Sequence, residues 1–198
     1  MTVQRMNEPD RVEAFSDGVM AVVITLMAFN IKPPTGPNAA DLGGSIPHVL
    51  VYVLSFAFIG IYWNNHHHLF RATGRISAGV MWANLLLLFW LSLLPVLTAW
   101  VAVFPNNALP AACYGVIGFA AAVSYYILVR TIIHANGSDS RIAVAIGTDV
   151  KGKVSLLLYA VAVGLAFLSP YAAYAAYVAV AVLWLVPDRR LTREHSAD

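Results

Sequence analysis

Six apolar stretches joined by short polar segments make up most of this chain: Ala14 to Ile31, Ile46 to Asn64, Ser77 to Phe104, Leu109 to Ile133, Val154 to Leu168 and Tyr171 to Val186. A hydrocarbon layer roughly 30 Å thick takes about 20 apolar residues per helix. The pattern therefore predicts an all-α membrane protein with helices over about 11–31, 46–70, 77–104, 109–134, 153–168 and 171–187. The last two stretches are short, and periodicity alone allows Ser169-Pro170 to be a tight turn between two helices or a kink within one. Pro95, lacking an N–H, predicts a kink in the third helix.

Composition agrees with the pattern. Hydrophobic residues make up 60% of the 198 positions and charged residues 11%, with a mean hydropathy of +0.71, whereas about a quarter of the residues in a soluble domain are charged. The helices use nearly the whole length, so residues 1–198 are expected to form one domain. The polar, mixed-charge start Met1 to Asp10 lacks the layout of a cleaved signal peptide. A single cysteine, Cys113, excludes an intrachain disulfide and cysteine-based zinc clusters.

Charge placement decides between the turn and the kink. Eleven of the twelve basic residues fall in five places: Arg5 and Arg11; Arg71 and Arg75; Arg130 and Arg141; Lys151 and Lys153; Arg189, Arg190 and Arg193. Cytoplasmic loops carry the excess of Lys and Arg, so all five belong inside, and Lys153 can share a side with Arg189 only if two spans separate them. That predicts six transmembrane helices with both termini cytoplasmic. The Pro-rich stretch Lys32 to Pro47 becomes an outer loop, and Tyr171, Tyr174 and Tyr177, with Trp100 and Phe104, fit an outer aromatic belt.

The first helix carries the candidate chemistry. Asp10 with Glu13 three residues later reads as an N-cap with a capping box. At 100° per residue, Phe15, Val19, Val22, Leu26 and Phe29 form one bulky stripe, flanked by Gly18 and Thr25, with Asp17, Ala21, Ile24 and Ala28 opposite. Such a stripe can face lipid, face another helix or line a pore. Asp17, an ionisable residue beside Ala14, Gly18 and Ala21, is placed for contact with a closely approaching helix or a neighbouring subunit. Arg11, six residues away, lies on another face.

Elsewhere, Trp63-Asn64-Asn65-His66-His67-His68 closes the second helix. Consecutive histidines point 100° apart and do not make a zinc site; two are expected in solvent and one, His67, hydrogen-bonded inward. Asn84, a lone amide before four leucines, reads as glue between helices. Ser16, Asp17 and the histidines could meet at the inner surface, but no nucleophile elbow or oxyanion-hole signature accompanies them, and no Gly-rich phosphate loop is present. No enzyme activity, metal, cofactor or nucleic-acid partner is expected.

The motif Arg11-x-x-x-Phe15-Ser16-Asp17, followed by Ile24-Thr25-Leu26, resembles the signature of the lysosomal potassium channel family called transmembrane protein 175, in its bacterial branch. Trp63-x-x-His66-His67-x-Leu69-Phe70, Asn84-Leu85 and Leu94-Pro95 are similar to that branch's later pattern. The resemblance covers roughly residues 11 to 100 by motif and the rest by hydropathy. It implies a homotetramer of six-helix subunits in the bacterial inner membrane, with the first helix of each lining a central pore. It also implies passive, voltage-independent conduction of monovalent cations, with potassium as the preferred permeant ion. The constriction would be Val22, Leu26 and Phe29, with Thr25 as an ion-coordinating hydroxyl and Val19 further lining. Arg11, Phe15, Ser16, Asp17, Trp63, His67 and Asn84 would form a polar network holding the pore helix. Phe29 stands where a smaller aliphatic is usual, and Val22 where Ile or Leu is. The rival reading is a proton-coupled transporter with Asp17 and a histidine as relay.

Overall fold

The computed structural model describes residues 7–147 and 149–185. These are helical with short connections: α1 (Glu8–Phe29), a 3-10 turn (Ala39–Ser45), α2 (Ile46–Arg71), α3 (Ala78–Ser92), α4 (Leu94–Val103), α5 (Ala108–Asn136), α6 (Arg141–Ile146), α7 (Val150–Leu165) and α8 (Pro170–Leu185). Among the described residues, four segments are long and apolar enough to cross a membrane: Glu8–Phe29, Ala39–Arg71, Ala78–Val103 and Ala108–Asn136. The basic residues Arg5, Arg189, Arg190 and Arg193, and the last two positions of the predicted 171–187 helix, lie outside the described residues.

Local chemistry sets the ends. Helix α1 begins three residues before the predicted start, because Asn7 is the N-cap, its side chain accepting from the Asp10 N–H at 3.3 Å. Pro9 fits the first turn, where no N–H is needed. Asp10 is thus not the cap but part of the first turn, complementing the helix dipole. The third apolar stretch breaks at Leu93, two residues before Pro95, which sits in the first turn of α4. The short helix α6 was not foreseen.

Helix α5 is the central post, packed against α3 and α4 on one side and α7 and α8 on the other, while α1 rests on α2, α3 and α4. Trp184 donates to Ser155 Oγ at 2.7 Å, and the Tyr159 and Tyr177 rings lie 6.0 Å apart. Both pairings straddle Ser169-Pro170, so α7 and α8 form an antiparallel hairpin and the proline marks a turn, not a kink. Each is 16 residues long, about 24 Å at 1.5 Å per residue.

The interior is mostly apolar, and a polar chain runs through it. Thr98 on α4 lies 2.7 Å from Ser55 on α2, which lies 3.0 Å from the Tyr114 hydroxyl on α5. Thr98 also reaches the Met27 sulfur at 3.7 Å, tying α1 to the same chain. These groups are buried, and pairing removes the penalty of isolated hydroxyls in a low-dielectric core. Tyr177 is also buried and donates to the Ala111 carbonyl at 3.0 Å. It is therefore a core residue and not part of an outer aromatic belt; Tyr174 is half-buried on the Pro105 carbonyl, and only Tyr171 is exposed.

Small residues let these rings approach. A Cβ on Gly115 would collide with the Tyr177 hydroxyl, and one on Gly118 would lie 2.6 Å from Tyr159 Cε1. Gly115→Ala should therefore destabilise the bundle by about 1–3 kcal/mol, the usual range for overpacking a well-filled core. Thermal melting in detergent checks this: a melting temperature at or above the parent's would contradict the packing.

Candidate functional site

Helix α1 is packed on one face only. Ser16, Met20, Val23 and Met27 recur at spacings of three and four and are buried against the bundle. The predicted bulky stripe lies elsewhere on the cylinder: Val22 is 57% exposed, Leu26 50% and Phe29 81%, with Phe15 also exposed and Val19 partly covered. Thr25 is exposed beside them, its hydroxyl donating to the Ala21 carbonyl at 2.9 Å. That bond uses the hydroxyl's proton and leaves a lone pair on the oxygen turned toward the open face. The wheel thus found the free stripe but not the adjacent methionine-rich stripe that anchors the helix.

The anchor at the inner end is a directed hydrogen-bond chain across three helices. His66 Nε2 on α2 lies 2.8 Å from Asn84 Oδ1 on α3; Asn84 Nδ2 donates to Ser16 Oγ on α1 at 2.9 Å; and Ser16 donates to the Val12 carbonyl at 2.8 Å. The amide oxygen can only accept, so His66 carries its proton on Nε2, and every link then points from α2 toward α1. His66, Asn84 and Ser16 are all buried, and His66 stacks on Phe70 with ring centroids 4.4 Å apart.

The inward histidine is therefore His66, not His67. His67 lies one helical step round, where its Nδ1 meets Glu13 Oε1 of α1 at 2.5 Å, while Trp63 stacks on it at 5.9 Å and His68 abuts it. Of the two histidines expected in solvent, His66 is buried and His68 packs against the His67 ring. Glu13, read from the sequence as a capping residue, ties α1 to α2 instead. Its place within the Arg11-to-Asp17 motif was the available signal. Among the described residues Ser16 is hydrogen-bonded to Val12 and Asn84 and to no histidine, so a Ser-His pair for acyl transfer is not assembled.

Among the described residues, Arg11, Phe15 and Asp17 are not joined to this hydrogen-bond chain. Arg11 and Phe15 are exposed and line an open groove with Met81 and Leu85 of α3. Asp17 is half-covered, and its buried Oδ1 has no hydrogen-bond partner among the described residues. At the other end of α1, Asn30 Nδ2 donates to the Pro95 carbonyl at 3.2 Å. That carbonyl sits beside the α3–α4 break, a partner that no sequence motif announced.

This geometry sits on a known scaffold. The family model described as endosomal/lysosomal potassium channel TMEM175 matches residues 11–95, the segment holding the free stripe and the whole polar anchor. A potassium channel of Chryseobacterium sp. strain P1-3 is 42% identical over 92% of this chain and 95% of its own length. The chain belongs to the TMEM175 family. Another similar relative is a potassium channel of Streptomyces collinus, 35% identical over 90% of this chain and 92% of its own. The crystal structure of a lysosomal potassium-selective channel TMEM175 homolog from Chamaesiphon minutus superimposes with a TM-score of 0.79 at 30% identity, covering 92% of this chain and 99% of that one. This TMEM175 family member is thus an all-helical membrane ion channel and not an enzyme.

Proposed function

We propose that the chain forms a homotetramer around a central pore lined by α1, and that the pore passes monovalent cations with potassium preferred, passively and without voltage sensing. The observation that carries this reading is the one-sided packing of α1. Four helices, each presenting Val22, Leu26 and Phe29 to a common axis, would stack three apolar rings, with Val19 further along the same wall. A narrow apolar passage holds water poorly and can close by dewetting. Thr25, beside the Leu26 ring, would offer a hydroxyl oxygen to a partly dehydrated cation. Arg11, Phe15 and Asp17 would complete the polar network across the subunit boundary, where the α1–α3 groove is open.

In this arrangement α1, α2, the α3–α4 pair, α5, α7 and α8 are the six spans of a bacterial inner-membrane subunit, with both termini cytoplasmic. No arginine-rich helix is available to move in a membrane field, which supports voltage independence. Purified protein in liposomes tests the reading. Potassium flux down its gradient, larger than sodium flux and of equal magnitude for either sign of membrane potential, is expected from a tetramer by mass photometry. Absent flux, or a monomer or dimer carrying it, would overturn the central pore.

A second reading, a proton-coupled transporter, draws on the unpartnered Oδ1 of Asp17 on the same helix end as the His66 chain. It requires saturable flux that follows a pH gradient and vanishes in Asp17→Asn. The channel reading expects flux that follows the potassium gradient alone.

A further inference from the structure

On the side of the bundle that α1 does not reach, a cavity of about 560 Å³, open mouth included, lies between α2, α5, α7 and α8. Its enclosed part measures about 50 Å³, room for a few water-sized groups at about 10–15 Å³ each. Its wall is unusually aromatic: Tyr62 from α2, Tyr125 and Tyr126 from α5, Tyr159 from α7 and Trp184 from α8. The rings are held in place. Tyr62 and Tyr125 meet edge to face at 5.9 Å, Tyr159 is clamped between Phe58 and Tyr177 at 6.0 Å each, and the Trp184 indole is tied to Ser155. Among the described residues, one charged residue contributes to the wall, Asp149, and no lysine or arginine does.

Asp149 is fixed there by its backbone and its side chain. It has φ 44°, the only positive φ outside glycine among the described residues, and its Oδ1 caps α7 by accepting from the Gly152 N–H at 3.1 Å. Gly152 gives it room, since a Cβ there would lie 2.6 Å from Asp149 Oδ2.

The geometry points to an aromatic-cage site for an organic ammonium group, with Tyr62, Tyr125, Tyr126, Tyr159 and Trp184 facing the cation and Asp149 supplying the counter-charge. Ring faces carry negative quadrupole density and attract a cation within about 6 Å, most strongly where water is excluded. A bare potassium ion is a poor occupant, because a wall made mainly of carbon cannot replace its shell of oxygens. A methylated ammonium spreads its charge over methyl groups that also fill apolar space. The same headgroup chemistry occurs in free choline and in phosphatidylcholine.

The test uses the full chain in phosphatidylglycerol nanodiscs, titrated with choline and with its uncharged isostere 3,3-dimethylbutanol by isothermal calorimetry. A parallel preparation doped with phosphatidylcholine is read by native mass spectrometry for retained lipid. Saturable choline binding, at one site per subunit and at least about tenfold tighter than the neutral isostere, is expected; retention of phosphatidylcholine without free-choline binding assigns the same site to the lipid headgroup. Asp149→Asn keeps the helix cap, because asparagine caps as well as aspartate, and should weaken binding about tenfold. Tyr125→Leu should abolish binding and Tyr125→Phe should preserve it. No saturable binding from either source, equal binding of the neutral isostere, or unchanged binding in both Asp149→Asn and Tyr125→Leu would overturn the proposal. None of these residues belongs to α1, so a failed pore would leave the result readable.

Discussion

Leu26→Asn should raise potassium flux in proteoliposomes by roughly tenfold, equivalent to about 1.4 kcal/mol off the barrier to conduction. Leu26 is half exposed on the free face of α1 and contributes nothing to the buried core, which on this helix consists of Met20, Val23 and Met27. The substitution therefore leaves the subunit's packing intact. In a fourfold pore it replaces an apolar ring with four amides that can hold water, removing the dewetting barrier at that level. Val22→Asn and Phe29→Asn should act in the same direction, and the largest increase would mark the narrowest ring. Met27→Asn is the control: a buried amide without partners should lower the yield of folded protein and leave the conductance of surviving channels unchanged. Unchanged flux in all three stripe variants would remove the apolar-ring constriction from the mechanism.

Asn84→Ala should be the most damaging single truncation in the polar anchor, with a stability loss of about 2–3 kcal/mol. Hydrogen bonds between membrane helices contribute modestly on average, about 0.6 kcal/mol, because the separated helices find other partners. Asn84 differs in making two, to His66 on one helix and Ser16 on another, so its removal leaves a buried ring N–H unpaired and strips the buried Ser16 hydroxyl of its donor, leaving it only the bond to the Val12 carbonyl. Ser16→Ala removes one link and should have under half the effect. Unfolding in mixed detergent micelles gives the comparison. Equal losses for Ser16→Ala and Asn84→Ala would mean that Asn84 is not the bridge. The same variant should loosen α1 and so shift the flux of assembled channels, which would tie the anchor to α1 in function as well as stability.

Much of this arrangement was legible as periodicity. A helix obeys a local 100° rule, so the alignment of Val22, Leu26 and Phe29 could be drawn from residue numbers, and the break before Pro95 followed from a missing N–H. A lone amide in an apolar run announced that Asn84 must bond to something. The charge pattern separated α7 from α8 where periodicity was silent, and the Ser155–Trp184 pairing displays the resulting hairpin.

Other features depend on how helices are rotated and crossed against each other, and no local rule carries that information. His66 and His67 differ by one step of 100°, and only the angle at which α2 meets α1 and α3 turns the first toward Asn84 and the second toward Glu13. Tyr177 has the composition of a belt residue, yet Gly115 on α5 admits its ring to the core, a match between positions 62 apart in the chain. The aromatic cavity draws on four helices and on Asp149, whose neighbours in sequence give no hint of it. Residues along the chain thus specify which helices form, which faces of them are apolar and where they must stop, because those depend on bonds and periods within a few residues. Which polar side chain finds which partner, and which apolar face is left uncovered, was settled by packing, because burial is shared between helices and belongs to none of them alone.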